Sequence, residues 1–525
     1  MRYLVTSALP YANGTIHLGH VAGAYLPADI YVRFLKNRGD EVIYICGTDE
    51  HGVPIAIAAE KEGISPEELV EKNHSAIKAS FDKININFSI FSGTHNKTHE
   101  KLSQEFFTKL KKEGHLVKKK ADQFFCEKCN KYLPDRYVEG CCPICKSEDA
   151  RGDQCDSCGN SLDALDLVDA RCKICNETPS IRSTEHWFLK LGDFQEKLKR
   201  WLEGKKHWKR NVREFCNQWF ERGLDDRCIT RDLSWGVPLP DEDSEGKVLY
   251  VWFDAPIGYI SFTRELFNKL GKSENEWESW WKGGDDVKLV HFIGKDNIVF
   301  HAMIFPAMLM GQEEGYKCAD EIPANEYLNL EGGKFSTSKD HAIWIDDFTE
   351  LFSPDTLRFY LAKIAPENRD SNFSLDGFRD VVNSEFAGIY GNFINRHLSF
   401  VKRFFKGKLR DEFSYGPEDE NVWKDVCENI KKASECFETF KVRDALANLV
   451  DAARKGNKYF DTMAPWNLRK TDKARCRAVL LTCLNIADAL SSAFEPITPE
   501  TSRKIKDMLN MPHEFDISDI ENKKI

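Results

Sequence analysis

Apolar and polar positions in the first 115 residues follow a pattern that predicts strands followed by helices. Residues 3–8 form a short apolar run near the start of the chain, and a helical segment extends to about Asn37. A second apolar run at residues 41–46 precedes a helical segment at residues 53–61. Strands that alternate with helices are typical of a parallel sheet with helices on its faces. We therefore predict an α/β unit here.

The same alternation resumes at about residue 229. Residues 248–254 predict an apolar strand that ends at an Asp-Ala-Pro turn and leads into a helix. Residues 289–294 predict another strand, followed by a helix that carries His301. Because open α/β sheets bind ligands at the carboxyl ends of their strands, these ends and the end of the strand at residues 41–46 should form one lip.

Beyond about residue 375 the apolar residues recur at spacings of three and four, and we find no convincing strand. This spacing is typical of amphipathic helices that pack against one another. The segment therefore predicts an antiparallel helix bundle, with a loop at residues 463–467. The predicted helices lie at residues 386–405, 422–440, 442–460 and 475–494.

Between about residues 116 and 228 the periodicity fades and cysteines become dense. Two Cys-x-x-Cys pairs supply the four thiolates of a tetrahedral zinc site, so four pairs predict two structural zinc sites with no open position for catalysis. Pairing could be sequential, first with second and third with fourth, or nested, with the two inner pairs together inside the two outer ones. The pairs are Cys126/Cys129, Cys142/Cys145, Cys155/Cys158 and Cys172/Cys175.

Composition limits the class of protein. A chain of 525 residues is too long for one core, and its 30% charged and 12% aromatic residues are ordinary for a globular protein. It has no apolar run near the ~20 residues of a membrane span and no signal-peptide pattern, so we expect a cytoplasmic protein. The net charge of -10 argues against a general nucleic-acid coat. Two basic runs, at residues 196–213 and 402–410, are either RNA-facing surfaces or solvated helix faces.

Residues 11–20, Tyr-Ala-Asn-Gly-Thr-Ile-His-Leu-Gly-His, join the first predicted strand to the first helix. A helix start offers backbone N–H groups to a phosphate, and His17 and His20 can face the same ligand from the first turn. Gly19 leaves room for close backbone approach. Residues 332–339, Gly-Gly-Lys-Phe-Ser-Thr-Ser-Lys, form a loop suited to wrapping phosphates. Together the two segments indicate a nucleotide site, although an isolated pair of histidines would more often be surface residues.

Other candidates lie at the predicted strand ends. Asp49 follows the strand at residues 41–46, where a carboxylate could bind an ammonium group or merely form a turn. Trp252 and Tyr259 follow the next strand end, and His301 follows the third. Aromatic residues there are either core or the wall of a pocket, and their shared position favours a pocket.

In this order, the motifs resemble the HIGH and KMSKS elements of class I aminoacyl-tRNA synthetases, and the whole chain is similar to the methionyl-tRNA synthetase family. The resemblance rests on several segments besides the two loops and the zinc knuckles. These are Leu9-Pro-Tyr-Ala-Asn-Gly, residues 49–52 (Asp-Glu-His-Gly), Arg231-Asp232, residues 251–259 (Val-Trp-Phe-Asp-Ala-Pro-Ile-Gly-Tyr), residues 292–296 (Phe-Ile-Gly-Lys-Asp), His301, Asn392 with Arg396, and Trp466.

The resemblance implies an α/β Rossmann catalytic domain that is split by a zinc-binding connective insertion and followed by an all-α anticodon-binding helix bundle. The halves of the catalytic domain would be residues 1–115 and 229–325, and the insertion residues 116–228. A stem-contact segment with the KMSKS-like loop would occupy residues 326–375, and the bundle residues 376–525. Nested pairing of the knuckles is also implied.

The implied activity is ATP-dependent activation of L-methionine and its transfer to the terminal ribose of tRNA(Met), with Mg²⁺ accompanying ATP and one or two structural Zn²⁺ ions. We expect a monomer. The implied catalytic residues are His17, His20, Lys334, Thr337 and Lys339. The implied ATP-binding residues are Tyr11, Asn13, Gly19, Lys295, Asp296, Lys334, Ser336, Thr337 and Ser338. Methionine would contact Leu9, Tyr11, Asp49, Trp252, Ala255, Pro256, Tyr259 and His301, and the anticodon would contact Asn392, Arg396 and Trp466.

One departure from the family pattern concerns charge, because Thr337 stands where KMSKS has its second lysine. We expect Lys334 or Lys339 to supply that charge. Two other readings remain: a smaller nucleotidyltransferase with the same histidine motif, which would need neither the zinc insertion nor the bundle, and a catalytically inactive tRNA-binding paralogue.

Overall fold

The computed structural model describes residues 1–148, 150–152, 155, 157–158, 162–240, 246–335 and 341–517. Four residues of the predicted phosphate loop, Ser336, Thr337, Ser338 and Lys339, lie outside the described residues, as does the end of the chain from residue 518.

A five-stranded parallel sheet forms the centre of the catalytic part. When the strands are numbered along the chain, their order across the sheet is 3-2-1-4-5. The direction of the order therefore reverses beside the first strand. This reversal creates the crevice at the carboxyl ends where such sheets bind ligands. The predicted Rossmann fold is confirmed. The strands are Arg2–Ser7, Glu41–Thr48, Ile90–Gly93, Val287–Gly294 and Ala324–Asn325.

Helices cover both faces of this sheet. Successive side chains of a strand point to opposite faces, and Leu4 and Val5, both fully buried, belong to two different hydrophobic cores. Pro66–Lys83 shows how a helix start is specified, because Ser65 and Glu68 form a capping box before it. The covering helices include Leu26–Asn37, Val53–Glu62, Pro66–Lys83, Lys97–Lys112, Gly258–Lys269, Glu278–Trp281 and Phe305–Gly311.

The strand predicted at residues 248–254 is wrong. Only Val248–Leu249 forms a strand, and it pairs antiparallel with Thr230–Arg231 outside the central sheet. A helical turn at Val251–Asp254 and a 3₁₀ turn at Ala255–Ile257 follow. A short apolar run does not distinguish a strand from a buried helix, and most of these side chains are buried. Trp252 therefore lies on a helix and not at a strand end.

The insertion is built on two long antiparallel strands, Leu116–Cys126 and Ser180–Leu189. Short strands Lys131–Tyr132 and Arg227–Cys228 extend their sheet at its two edges. A smaller sheet carries the inner knuckle, and two helices pack against one core of the catalytic part. The small sheet contains Val138–Cys141, Ala150–Arg151 and Val168–Cys172, and the helices are Gln195–Glu203 and Arg210–Arg222.

A three-stranded sheet follows the catalytic part, with Leu328–Leu330 between Gly333–Lys334 and Ser371–Phe373. Helices Ile345–Leu351 and Pro354–Lys363 lie between the last two of these strands in the chain. The sheet holds the base of the predicted phosphate loop, because Lys334 pairs with Asn329.

The predicted helix bundle is confirmed, and the part of it that the structure describes contains no strand. Two details differ: Trp466 lies in a short helix instead of a loop, and the last helix was not predicted. Lys473–Phe494 is long and apolar enough to cross a membrane by length and composition, but 78% of its most apolar window is buried in the protein. The helical segments are Leu375–Val381, Val382–Gly391, Asn392–Phe405, Pro417–Glu438, Val442–Met463, Pro465–Thr471, Lys473–Phe494 and Pro499–Leu509.

Arg358 joins the bundle to the catalytic sheet. Its guanidinium group is 1% exposed and forms an ion pair of 2.7 Å with Asp29 on the helix Leu26–Asn37. It also donates to the backbone carbonyls of Ile84, Pro496 and Ile497. The helix that follows the histidine motif is therefore tied directly to the end of the bundle.

Candidate active site

The loop after the first strand is held against the end of the second strand. The N–H of Ala12 donates to the carbonyl of Asp49 at 2.9 Å, and the N–H of Asp49 donates to the carbonyl of Pro10 at 2.8 Å. Asn73 donates from its side chain to the carbonyl of Ala12 at 2.8 Å. These bonds place Tyr11 beside Asp49 at the lip of the sheet.

The two histidines of the motif stack on one another at the start of the first helix. Their ring centroids are 3.7 Å apart and nearly parallel, and the N–H of His17 donates to Nδ1 of His20 at 3.2 Å. Gly19 lies against them: a Cβ added there would be 3.0 Å from the ring of His17 and 3.2 Å from Phe335. A larger residue at this position would therefore displace an aromatic ring.

The segment that flanks the predicted phosphate loop meets the histidine motif. Phe335 stacks on His17 with ring centroids 4.8 Å apart. On the far side of the loop, the N–H of Leu18 donates to the carbonyl of Ile343 at 3.1 Å, and His17 forms a backbone bridge with Trp344. Both ends of the loop thus lie at the histidines, and Lys334, which is exposed, immediately precedes Phe335.

His17 is a neutral donor or acceptor in the free protein. Burial, and then the neighbouring His20, lowers the pKa of His17 to about 3, and burial lowers the pKa of His20 to about 4. The Nδ1 atom of His17 is buried and has no hydrogen-bond partner among the described residues. Positive charge for a polyphosphate must therefore come from lysines or from a metal ion that accompanies the nucleotide.

Asp49 is the buried anion of the site. Its side chain is 4% exposed, and its Oδ1 atom has no hydrogen-bond partner in the part of the chain that the structure describes. Burial, followed by the charge of Asp254, raises the pKa of Asp49. A cation placed at this oxygen would lower that pKa and stabilise the carboxylate. The position is therefore suited to a ligand ammonium group.

A buried network lies behind Asp49. Asp254 accepts hydrogen bonds from Nδ1 of His51 at 2.8 Å and from Nε2 of His99 at 3.1 Å, and all three side chains are at most 3% exposed. Burial raises the pKa of Asp254, but the two histidines outweigh it, so the pKa is lowered overall. Sequence reasoning missed His99, because a histidine on the buried face of an amphipathic helix gives no functional signal.

An aromatic pocket adjoins Asp49. Nδ1 of His301 is 3.0 Å from the carbonyl of Asn297, and its Nε2 is 2.9 Å from the hydroxyl of Tyr259. Burial lowers the pKa of His301 to about 4, so the ring is neutral. It donates a hydrogen bond from Nδ1 to the carbonyl and accepts one at Nε2 from the Tyr259 hydroxyl. Trp252 donates to the hydroxyl of Tyr11 at 2.7 Å.

The remaining predicted ligand residues surround this pocket. Leu9 packs closely against the start of the helix Gly258–Lys269. A Cβ added to Gly258 would be 3.1 Å from Cδ1 of Leu9. Ala255 and Pro256 occupy the 3₁₀ turn after Trp252, and Asn13 is exposed at the rim.

Two predicted ATP-binding residues have other contacts. Lys295 forms ion pairs with Glu326 at 2.7 Å and Asp370 at 2.9 Å, so its charge is already engaged by two carboxylates. The carboxylate of the neighbouring Asp296 lies where a Cβ on Gly294 would be only 2.6 Å away. A side chain at position 294 would therefore have to displace the carboxylate of Asp296.

The eight knuckle cysteines form two separate groups, and their pairing is nested. In the outer group, Sγ distances are 3.4 Å for Cys126–Cys175 and 3.9 Å for Cys129–Cys172. In the inner group they are 3.9 Å for Cys142–Cys158 and 3.6 Å for Cys145–Cys155. Four thiolates around zinc are about 3.8 Å apart. Both groups therefore fit a tetrahedral Zn²⁺ ion.

The predicted anticodon residues share one surface of the bundle. Arg396 forms a two-point ion pair with Asp461 and lies over the ring of Phe460. Asn392, one turn earlier, donates to Asn457 at 3.4 Å. Trp466 is 41% exposed.

Comparisons with known proteins find a matching family for the catalytic part of the chain and another for the helix bundle. Residues 3–398 match the family described as tRNA synthetases class I (M), and residues 411–523 match the anticodon binding domain of methionyl tRNA ligase. A methionine–tRNA ligase of Thermococcus kodakarensis is 47% identical over 522 residues, which cover 97% of this chain and 70% of that protein. One from Cytophaga hutchinsonii is 46% identical over 517 residues, with 97% and 75% covered.

Solved structures show the same fold. Mycobacterium tuberculosis methionyl-tRNA synthetase in complex with methionyl-adenylate has a TM-score of 0.81 to this chain at 23% sequence identity. The match covers 99% of this chain and 96% of that chain.

Proposed function

The chain belongs to the methionyl-tRNA synthetases, and from that membership we propose how its residues divide the work of the enzyme. It is a methionine–tRNA ligase that activates L-methionine with ATP to methionyl-adenylate and then transfers the methionyl group to the 3′-terminal ribose of tRNA(Met). Two observations best support the residue assignment: Phe335 and Trp344, which flank the phosphate loop, converge on His17, and Asp49 has an unpaired carboxylate oxygen among the described residues.

In the first step, the methionine carboxylate attacks the α-phosphate of ATP in line and pyrophosphate leaves. Positioning and stabilisation of phosphate charge supply most of the acceleration in such a reaction. His17 and His20 are assigned to the phosphates, where a neutral imidazole acts as a hydrogen-bond donor. Tyr11, Asn13 and Gly19 line the approach to them. Lys295 and Asp296 are assigned to the nucleotide, which requires ATP to compete with the ion pairs of Lys295.

The charge on the leaving pyrophosphate requires a cation that the histidines do not supply. Lys334 or Lys339 is assigned this role, with Ser336, Thr337 and Ser338 as hydroxyl donors. Thr337 donates a hydrogen bond but carries no charge at the position where KMSKS has its second lysine. Mg²⁺ bound with ATP would neutralise further charge on the phosphate oxygens.

Methionine is assigned to the lip between Asp49 and the aromatic pocket. The carboxylate of Asp49 and the carbonyl of Leu9 hold the α-ammonium group, and the thioether lies among Tyr11, Trp252 and Tyr259. Ala255, Pro256 and His301 complete the pocket. A thioether is apolar and polarisable, so aromatic walls suit it.

Homocysteine should be activated at some rate. A pocket gains only ~1–3 kcal/mol of discrimination from one missing methylene group. If homocysteine induced neither ATP hydrolysis nor thiolactone formation, this part of the proposal would be wrong.

The other roles follow from position. The two cysteine groups would hold structural Zn²⁺, since all four ligand positions of each are thiolates. Asn392, Arg396 and Trp466 are assigned to bases of the anticodon. A monomeric state, a cytoplasmic location and domain boundaries near residues 115, 228, 325 and 375 complete the proposal.

Methionine-dependent exchange of pyrophosphate into ATP tests the lysine assignment. Either Lys334→Ala or Lys339→Ala should reduce exchange strongly while the Tm stays unchanged. Lys363→Ala, which removes a lysine paired with Glu385 on the bundle side, is the matched control. Full exchange in both loop variants would refute the assignment of both lysines.

A further inference from the structure

An exposed aromatic ring lies among arginines on the bundle, beyond the residues assigned to the anticodon. Phe404 is 37% exposed, although most large apolar side chains of the bundle are buried. The guanidinium carbon of Arg469 lies 4.1 Å from the centroid of its ring, and that of Arg403 lies 5.2 Å away. A solvated helix face, one reading of the basic run at residues 402–410, does not require an exposed phenylalanine between two arginines.

This surface continues the proposed anticodon face. Asn392, Arg396, Phe400 and Phe404 follow one another at spacings of four residues on the helix that ends at Phe405, so each lies next to the following one on the helix surface. At 1.5 Å per residue, Phe404 lies about 12 Å along the helix from Arg396. The strip thus extends about two turns past the assigned base-reading residues.

A chain of ring contacts makes the strip continuous. Ring centroids are 4.6 Å apart for Phe404 and Phe400, 6.3 Å for Phe400 and Phe460, and 5.9 Å for Phe460 and Trp466. Arg469 follows Trp466 by three residues on the helix Pro465–Thr471, so both lie on the same side of that helix. The surface is therefore bounded by Trp466 at one end and by Phe404 with Arg469 at the other.

Two cations of this surface, Arg403 and Arg469, have no acidic partner in the part of the chain that the structure describes. Within the described ranges, neither Arg403 nor Arg469 forms an ion pair, whereas Arg396 is paired with Asp461. Nε of Arg469 is buried and has no hydrogen-bond partner among the described residues. Unpaired arginines beside an exposed ring suit a polyanion that also offers flat π-faces, which is the chemistry of single-stranded RNA.

We propose that Phe404 and Arg469 form a second stacking subsite for an unpaired base of the tRNA anticodon loop, and that Arg403 contacts a neighbouring phosphate. The proposal rests on the assignment of Asn392, Arg396 and Trp466 to the anticodon. Stacking on an aromatic ring or on a guanidinium plane accepts any base, so this subsite adds affinity without selecting a sequence.

Steady-state aminoacylation of tRNA(Met) by the full chain tests the subsite. Phe404→Ala and Arg469→Gln should each lower kcat/KM for tRNA by about five- to 150-fold, the range expected for loss of one base stack. Methionine-dependent pyrophosphate exchange without tRNA should stay at the wild-type rate. Phe404→Tyr, which keeps the ring, should retain most of the tRNA activity. Tyr415→Ala removes another exposed aromatic residue of the bundle and should have no effect.

Salt dependence separates the phosphate contact from the stack. Arg403→Gln should reduce the slope of log affinity against log salt by about 1, the value of one phosphate contact. Phe404→Ala should instead lower affinity at every salt concentration and leave the slope unchanged. An unchanged slope in Arg403→Gln would overturn the phosphate contact.

Trp466→Ala separates this inference from the anticodon assignment on which it rests. If Trp466→Ala lowers tRNA activity but Phe404→Ala does not, the second subsite is wrong and the anticodon assignment stands. If neither variant lowers it, both are wrong. A loss that Phe404→Tyr fails to rescue, or that extends to pyrophosphate exchange, would also overturn the subsite.

Discussion

At the scale of single residues, Asp49 is the side chain that we propose determines what the pocket binds. A buried carboxylate with one unpaired oxygen needs a cation, and the adjoining aromatic walls need an apolar side chain. The α-ammonium and thioether of methionine satisfy both. The network of His51, His99 and Asp254 lies behind this carboxylate and holds its loop in place.

Replacing Asp49 with Asn should specifically weaken methionine binding. Loss of one partner from a buried charge pair costs about 2–5 kcal/mol, so kcat/KM for methionine should fall by about 30-fold or more while KM for ATP changes little. Pyrophosphate exchange at varied methionine measures this. Asp286→Asn, which removes a surface carboxylate at the opposite end of the central sheet, is the control. A similar loss in both variants would contradict the assignment.

Buried neutral histidines should make stability depend on pH. Burial lowers the pKa of His397 to about 4 from the ordinary 6.5, and His17 and His301 are shifted in the same direction. Below pH 6.5 the unfolded chain therefore binds more protons than the folded chain, so stability is full above pH 6.5 and falls as the pH drops toward 4.

His397→Gln tests this at a site in the bundle, away from the residues assigned to ATP and methionine. One buried histidine contributes about 1.4 kcal/mol per pH unit over that window. Between pH 6.5 and 5, the variant should therefore lose about 2 kcal/mol less unfolding free energy than the wild type. Urea titrations at both pH values measure the difference. Equal losses in the two proteins would contradict a neutral His397.

Sequence reasoning found the residues that belong to motifs and missed those that act through packing. His17, Asp49 and His301 were predicted because they follow strand ends or a recognisable turn, and these three positions do lie at one lip. The sequence predicts Phe335 only as part of the phosphate loop, since nothing in it indicates that the ring stacks on His17. Contacts between distant segments depend on the fold and leave no local pattern.

At the scale of elements, the zinc knuckles show what spacing predicts and what it leaves open. Cys-x-x-Cys spacing predicts four-thiolate sites, but it does not decide between sequential and nested pairing. The strands Leu116–Cys126 and Ser180–Leu189 decide it, because their antiparallel pairing brings the outermost cysteine pairs together. The small sheet between them carries the inner group.

Metal content should change by one ion when one group is broken. Cys145→Ser should reduce bound zinc from two ions per chain to one, because three thiolates bind zinc more weakly than four. Cys141→Ser is the matched control, since Cys141 is adjacent to the inner group but is not part of it. Elemental analysis after dialysis measures both. Unchanged zinc in Cys145→Ser would contradict the inner site.

Elements with a clear period were predicted better than short apolar runs. The four long helices of the bundle were predicted within a few residues, because each buries one regular stripe. The run at residues 248–254 was mistaken for a strand because its helical turn is buried on several sides. The helix Pro499–Leu509 was missed, since only a few of its side chains are buried.

At the scale of the molecule, the bundle and the catalytic part share one hydrophobic core. The ring centroids of Phe437 in the bundle and Phe34 on the helix after the histidine motif are 5.4 Å apart. Those of Phe440 and Tyr31 on the same two parts are 4.9 Å apart. Arg358 adds polar contacts to both parts. The bundle is therefore fixed relative to the active site, as an enzyme that reads one end of a tRNA and acts on the other requires.

Removal of Arg358 should weaken this junction. Arg358→Met leaves Asp29 with one fewer cation and leaves buried carbonyl groups without a hydrogen-bond donor. The unfolding free energy should fall by about 3–5 kcal/mol. Thermal unfolding should show a clearly lower Tm. Arg379→Met, which breaks only exposed ion pairs, should change stability by less than about 1 kcal/mol. Equal Tm values for the two variants would contradict a structural role for Arg358.

The central claim is that the histidine segment and the loop after Gly332 bind one triphosphate beside an amino group on Asp49. The most direct test is the structure of this chain bound to methionine and a non-hydrolysable ATP analogue. The predicted result is a triphosphate in contact with His17, His20 and Lys334 or Lys339, and the methionine ammonium within ion-pair distance of Asp49. A triphosphate held away from either segment, or an ammonium group that does not reach Asp49, would contradict the account.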